Sequence, residues 1–266
     1  MSDTGGQKKK PERVRKQSAI QKIRRRVAGR DPAEVLAFER RCLVVASAGL
    51  LLAFLLWCIA VSTDFWFHVI PESGAPIYVN RSNSFFVRSH SGLWTICKFK
   101  YLNGTQEGPQ VRSCHNHRLF PTKEFIEKNS EVDRTILDYT RTETAFAIIT
   151  FLLIVMGFGF ALYTFKEPRY MFKRLAAGVH FIAAGCSLVV IEVVINSVEY
   201  EEQYLTARHP KGAIWTYGYS FVFACLTFVV LLVCGLTFLI CSRKKKGDRS
   251  GQGTGVDDEP HILGRM

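Results

Sequence analysis

The sequence lacks the short motifs that mark the common classes of enzyme and metalloprotein. No Gly-rich phosphate loop, nucleophile elbow or spaced set of metal ligands occurs in its 266 residues. A signal peptide is also missing, because the first apolar run begins near residue 42 and is too long for one. Internal repeats are absent as well, which argues against a transporter. We therefore expect a non-enzymatic protein that needs no metal or cofactor.

Four long apolar runs dominate the remaining sequence, which is 48% hydrophobic and yet carries a net charge of +12. Because an α-helix rises about 1.5 Å per residue, about 20 residues cross a hydrocarbon core of about 30 Å. The runs cover residues 42–61, 145–165, 175–195 and 221–241. Three of them contain no charged residue, and the third contains only Glu192. They predict an all-α membrane bundle of four transmembrane helices.

Lysine and arginine cluster at alternate ends of these runs, which predicts the orientation of the chain. The clusters are Arg24 to Arg26 with Arg30, Arg40 and Arg41, then Lys166 to Arg174, then Arg243 to Lys246. The positive-inside rule puts all three in the cytoplasm, with both termini, and predicts a multi-pass plasma-membrane protein. The cytoplasmic tails are then residues 1–40, expected to be disordered, and residues 243–266.

The basic tails have two interpretations that the sequence leaves open. Lys8 to Lys10, Arg24 to Arg26 and Lys244 to Lys246 would attract anionic lipids of the inner leaflet, each basic residue adding about 1 kcal/mol near the surface. The same residues also suffice to set the topology alone. We expect membrane lipids, and not nucleic acid, as the partner of these tails.

The same orientation predicts a large extracellular loop over residues 62–144 and a shorter one over residues 196–218. Cys97 and Cys114 are the two cysteines of the large loop, so an oxidising compartment predicts a disulfide between them. Two N-glycosylation sequons fall in the same loop, at Asn80 and Asn103. Both sites are expected on the cell surface side of the membrane.

Aromatic and β-branched residues in the large loop predict a small antiparallel sheet lying on the bundle. The expected strands are residues 84–87 and 93–99, with a third over residues 113–120, followed by a helix over residues 124–139. Such a sheet would bury Phe85 and Trp94 against the helices.

The motif around the first loop cysteine resembles a known family signature. Gly92-Leu93-Trp94, followed by Cys97 and Cys114, is similar to the GLW…C…C pattern of the claudin superfamily. Further motifs resemble the calcium channel gamma subunits and the stargazin-like (TARP) proteins within it. These motifs are Ser62-Thr63-Asp64-Phe65-Trp66, His90-Ser91-Gly92-Leu93-Trp94, Ile191-Glu192-Val193-Val194 and Tyr217-Gly218-Tyr219-Ser220-Phe221. The resemblance covers residues 41–242.

This resemblance implies a left-handed claudin-like four-helix bundle capped by an extracellular sheet. It also implies an auxiliary protein that binds a pore-forming voltage-gated calcium channel subunit and modulates its gating or trafficking. One alternative is an auxiliary protein of AMPA-type glutamate receptors, as stargazin-like proteins are. A second alternative is a claudin-like adhesion or barrier protein.

Two polar residues inside the third run are open to more than one interpretation. Glu192 is either a contact to a partner helix or to the bundle, or a side chain that reaches the outer headgroups. His180 is expected to be hydrogen-bonded within the bundle.

Overall fold

The structure is a computed structural model, and it describes residues 32–102, 108–128, 134–166, 170–206 and 208–242. The predictions for Asn103 and for the basic clusters of both tails lie outside these ranges. The described chain forms a helical bundle with an antiparallel sheet at one end. We call that end the sheet end.

Within the described residues, four helices are long and apolar enough to cross a membrane. They are α1 (Pro32–Ser62), α3 (Arg134–Lys166), α4 (Tyr170–Tyr204) and α5 (Tyr219–Cys241), and a short helix α2 (Lys123–Lys128) precedes α3. The prediction of four transmembrane helices is confirmed. Each long helix is at least as long as its apolar run, because the hydrogen bonding of a helix can continue past the end of the apolar stretch.

Helix boundaries differ from the sequence prediction at three places. Helix α1 begins at Pro32, so the last part of the expected disordered tail is helical; proline suits a first helical turn because its missing N–H has no partner there anyway. Helix α3 begins at Arg134, within the helix expected over residues 124–139, and continues without a break through the second apolar run. Helix α4 continues to Tyr204, inside the expected short loop.

Six strands form the sheet in the described part of the chain. They are β1 (Phe67–Pro71), β2 (Ile77–Val79), β3 (Ser84–Ser91), β4 (Thr95–Tyr101), β5 (Val111–Asn116) and β6 (Ala213–Tyr217). Every pairing is antiparallel, in the order β5-β4-β3-β1-β6 with β2 also on β3. The small sheet is confirmed, but it also takes a strand from the second loop.

Alternation along the strands decides which aromatic residues the sheet buries. Phe86 is buried, whereas Phe85 is only half-buried and packs against Tyr78, with ring centroids 5.1 Å apart. The expectation for Phe85 was therefore wrong by one residue, which in a strand moves a side chain to the opposite face.

Small residues let the long helices approach closely in the middle of the bundle. Ala53, Ala183 and Ala184 are fully buried there. A Cβ added to Gly157 would lie 2.5 Å from the His180 ring, so the glycine makes room for the imidazole. His180 packs edge-on against Phe238, with centroids 5.5 Å apart, and its nitrogens have no hydrogen-bond partner among the described residues. The expected hydrogen bond is not found.

Candidate functional site: the junction between sheet and bundle

The sheet is anchored to the bundle by two tryptophans that bind the end of α1. Trp66 Nε1 donates to the carbonyl oxygen of Ala60 at 2.8 Å, and Trp94 Nε1 donates to that of Val61 at 2.7 Å. The last carbonyls of a helix have no partner within the helix. The two indoles therefore satisfy acceptors that would otherwise be left unpaired at the membrane surface.

The turn that carries Trp94 requires a glycine because the backbone of the neighbouring segment comes so close. A Cβ added to Gly92 would lie 2.5 Å from Asp64 Cα and 3.0 Å from the carbonyl oxygen of Thr63. Leu93, next to it, is 1% exposed and packs into the core. Each residue of the Gly92-Leu93-Trp94 motif thus has its own contact, and together they fix the sheet on the end of α1.

A disulfide closes the hairpin formed by β4 and β5. Cys97 and Cys114 are directly paired across the two strands, and the structure joins them as predicted. Cys97 is buried, while Cys114 is exposed on the edge strand β5. The bond ties the edge of the sheet to the strand that follows Trp94.

Beneath this junction lies a cluster of buried ionisable residues that we call the charge cluster: Glu143, Glu201 and Arg208. Glu201 and Arg208 form an ion pair, and Glu143 lies with them at the same small cavity. The three residues are 7%, 4% and 8% exposed. Burying such charges is costly unless they are paired and hydrogen-bonded. The cluster therefore joins α3 and α4, at the sheet end of the bundle, to the loop before β6.

A small cavity of about 10 Å³ separates the charge cluster from the sheet. Trp66, Phe67 and Gly92 line it from the sheet, and Glu143 and Arg208 line it from below. This volume is about that of one water molecule in a polar site. The family-like motif residues and the buried charges thus meet at one place.

Two histidines beside the cluster are held neutral by their surroundings. Burial, and then the nearby Arg208, lower the pKa of His117 to about 4. Burial also lowers the pKa of His209, against an opposing effect of Glu202 and Glu201. At neutral pH the positive charge of the cluster is therefore that of Arg208.

The remaining predicted site residues lie away from the junction. Asn80 is exposed at the start of a short 3₁₀ turn, Asn80–Ser82. Glu192 is exposed on the outer surface of α4, so its side chain does not enter the bundle. No group of three or more potential metal ligands from His, Cys, Asp and Glu occurs within the described ranges.

A family model described as PMP-22/EMP/MP20/Claudin tight junction matches residues 51–240, which is more than half of the chain. The chain belongs to this family. The match begins inside α1 and ends at the last residues of α5, so it includes the whole sheet and the junction with the bundle.

The chain is also similar to several voltage-dependent calcium channel gamma subunits. It is 30% identical to the gamma-7 subunit of Homo sapiens over 188 residues, covering 70% of this chain and 63% of that protein. It is 28% identical to the gamma-5 subunit of Mus musculus over 183 residues, covering 67% and 62%. It is 30% identical to the gamma-1 subunit of Bos taurus over 203 residues, covering 74% and 86%. The chain thus spans less than two thirds of the gamma-7 and gamma-5 lengths. The resemblance to the gamma branch of the claudin superfamily is confirmed.

The charge cluster is the part of the junction that the sequence did not reveal. Glu143 stands just before the second apolar run, and Glu201 and Arg208 follow the third, where charged residues are ordinarily solvated. The sequence signal for this cluster was the position of two acidic residues close to the ends of two apolar runs. Sequence position alone could not show that the sheet would cover them.

Proposed function

We propose that this chain is a non-enzymatic auxiliary subunit of gamma type, which binds the pore-forming subunit of a voltage-gated calcium channel and alters its gating or trafficking. The observation that carries the proposal is the similarity to three gamma subunits along the helices and the sheet. The fold supports it, since the bundle exposes apolar side chains on all four long helices and carries a rigidly anchored sheet beyond the bilayer.

The proposed orientation puts the sheet outside the cell and both termini in the cytoplasm of a plasma-membrane protein. The disulfide at the sheet end supports it, because such bonds form and persist in oxidising compartments. The exposed turn at Asn80 supports it too, since N-glycans are added to accessible lumenal segments. Glycosylation at Asn80 and Asn103 is part of this proposal, as is lipid binding by the basic tails.

Glu192 is the residue of the bundle that we propose for direct contact with the partner. Its carboxylate is exposed on α4 within the third apolar run, where an unpaired charge is unfavourable. A polar or basic side chain on a channel helix would compensate for that cost. A lipid headgroup beside Glu192 would compensate for the cost as well, so the test needs a matched variant at another exposed acid of the same helix.

Co-expression with a pore-forming calcium channel subunit tests the proposal directly. The full chain is expected to co-purify with the channel and to change either the voltage dependence of inactivation or the current density. Glu192→Gln should weaken these effects, whereas Glu199→Gln, an exposed acid farther along the same helix, should not. If neither co-purification nor any change of current is found, the auxiliary function is wrong.

The second candidate function is that of an AMPA-type glutamate receptor auxiliary protein. It is favoured by the stargazin-like motif His90-Ser91-Gly92-Leu93-Trp94, which builds the junction described above. The same co-expression experiment with an AMPA receptor distinguishes the two: slower receptor desensitisation without any effect on the calcium channel would favour this candidate. A claudin-like barrier function would instead raise transepithelial resistance when the chain is expressed in an epithelial monolayer.

Glycosidase treatment tests the orientation. An N-glycosidase should increase the electrophoretic mobility of the wild-type chain, and Asn80→Gln with Asn103→Gln should abolish that shift. A chain that reaches the cell surface without any glycan would contradict the proposed glycosylation.

A further inference from the structure

The face of the sheet that points away from the bundle carries a basic pocket that none of the contacts above uses. Register puts Thr216, His68, His90 and Cys97 in one row across the sheet. Directly paired residues project from the same face. Phe67, next to His68, is buried on the opposite face towards the bundle. The row therefore points away from the helices and the bilayer.

A second row on the same face consists of two arginines on either side of a phenylalanine. Phe99 is paired with Arg88 on one side and with Arg112 on the other. The guanidinium carbons lie 4.5 Å and 5.8 Å from the centre of the Phe99 ring, which places both arginines in cation–π distance. The two positive charges are held near each other by the aromatic ring between them.

The disulfide orients one of these arginines further. Arg112 Nε donates to Cys114 Sγ at 3.1 Å, and its terminal nitrogen lies 3.6 Å from Cys97 Sγ. Neither Arg88 nor Arg112 is in an ion pair with a carboxylate among the described residues. Both guanidinium groups thus keep most of their N–H donors available in a preset orientation.

Members of both rows line an open cavity of about 460 Å³, and Phe65 lies at its side. Phe65 stacks on the His90 ring with centroids 4.5 Å apart. His90 lines the floor and is 7% exposed, and its ring makes no hydrogen bond to another described residue. The His90 ring and two guanidinium groups that have no carboxylate partner among the described residues therefore face the same space.

The positive charge of this space comes from Arg88 and Arg112, since both imidazoles are neutral at pH 7. Burial lowers the pKa of His68 and of His90, and the neighbouring positive groups lower both further. Each neutral ring still offers one N–H donor. Burial raises the pKa of the Asp64 carboxyl group, against an opposing effect of Arg112, and the two side chains form no ion pair.

We propose that this basic pocket binds an acidic side chain, Asp or Glu, presented by the extracellular part of a partner protein. The planar fork of arginine matches a carboxylate with two parallel hydrogen bonds, and the histidines add donors from the floor. A lipid headgroup fits less well, because the pocket opens on the face turned away from the bilayer. The inference rests on the proposed function for the identity of the partner, but not for the existence of the pocket.

Binding of a synthetic acidic peptide to the full-length protein in detergent tests the pocket without any channel. The probe is a short peptide of Asp and Glu, and its control is the same peptide with Asn and Gln. We expect the acidic peptide alone to bind by calorimetry, and its affinity to fall as salt increases. Arg88→Gln with Arg112→Gln should weaken binding at least about tenfold, as expected for loss of charge-assisted hydrogen bonds.

Matched variants separate the pocket from general charge and from misfolding. Arg118→Gln removes an arginine that also lies over an aromatic ring, that of Phe125 at 4.3 Å, and should leave binding unchanged. Arg112→Lys keeps the charge without the fork, and should bind more weakly than wild type but more tightly than Arg112→Gln.

Three outcomes would overturn the proposal. The first is equal binding of the acidic and amide peptides. The second is unchanged affinity in the double arginine variant when its disulfide and melting temperature are intact. The third is a double arginine variant that binds phosphatidylserine vesicles more weakly than wild type but binds the acidic peptide equally well. Failure to co-purify with a channel would refute the proposed function and leave the peptide result standing.

Discussion

The middle of the bundle and the sheet end satisfy most of their buried polar groups in different ways. In the bundle, the hydroxyls of Thr150, Ser187 and Thr227 donate to carbonyls of their own helices, three or four residues earlier. At the sheet end, Trp94 and Arg208 bond to residues of other elements. A bilayer core offers no water, so these hydroxyls are satisfied within their own helices, while Trp57 Nε1 and Cys234 Sγ donate to carbonyls of neighbouring helices. The sheet end depends instead on contacts between distant parts of the chain.

The contrast implies that the two regions tolerate substitution differently. Contacts within a helix form wherever the helix forms, so the bundle depends mainly on apolar length and on small residues. Contacts between the sheet and the bundle need several residues in place at once. The largest effects of single substitutions are therefore expected at the sheet end.

Gly92→Ala should have the largest effect, because the new Cβ would lie 2.5 Å from the Asp64 backbone. We expect a loss of about 4 kcal/mol in the free energy of unfolding, or failure to reach the cell surface. Surface labelling and melting in detergent measure it. Gly108→Ala is the control, since nothing lies within 4 Å of a Cβ there. Equal surface levels of the two variants would mean that the turn can move away from α1.

Arg208→Met should follow, since it leaves Glu201 buried without its partner. Breaking a buried ion pair in this way costs about 3–5 kcal/mol. The exposed pair of Arg141 and Asp138 gives the comparison: Asp138→Asn should cost under about 0.5 kcal/mol. Melting temperatures in detergent measure both. A similar small loss in both variants would show that the charge cluster is solvated.

Removing the disulfide by Cys97→Ser with Cys114→Ser should cost about 3 kcal/mol in the chain-entropy model. The loss should appear as a lower melting temperature of the purified protein. Cys186→Ser, a free cysteine half-buried in the bundle, is the control and should have little effect. If the disulfide variant melts at the wild-type temperature, then the sheet does not rely on the bond.

The smallest effect compares the same substitution in the two regions. Trp94→Phe removes the donor to the unpaired carbonyl of Val61 and should cost about 1–3 kcal/mol. Trp57→Phe removes a donor to Ala147, whose carbonyl lies inside α3, and should cost under about 1 kcal/mol. If Trp57→Phe lowers the free energy of unfolding more than Trp94→Phe does, then the bundle depends on such contacts more than the sheet end does.

Much of the fold was predictable because a bilayer restricts a chain so strongly. Runs of about 20 apolar residues predicted the four long helices, and two loop cysteines predicted the disulfide. Strands β1, β2 and β6 were missed, since each is five residues long or shorter, and β1 and β6 pair across distant parts of the chain. Phe85 was assigned to the wrong face because strand register depends on pairing partners that a single segment does not reveal.

Some properties of this protein followed from its sequence alone: the number of long helices, the disulfide, and the membership of the claudin superfamily carried by Gly92, Leu93 and Trp94. Each of these depends on local composition or on a short motif. The tertiary structure alone decided that Glu143, Glu201 and Arg208 would be buried together, and that Arg88 and Arg112 would flank Phe99 above a buried His90. Burial and pairing of charges depend on which distant segments the fold brings together, and no local pattern contains that information.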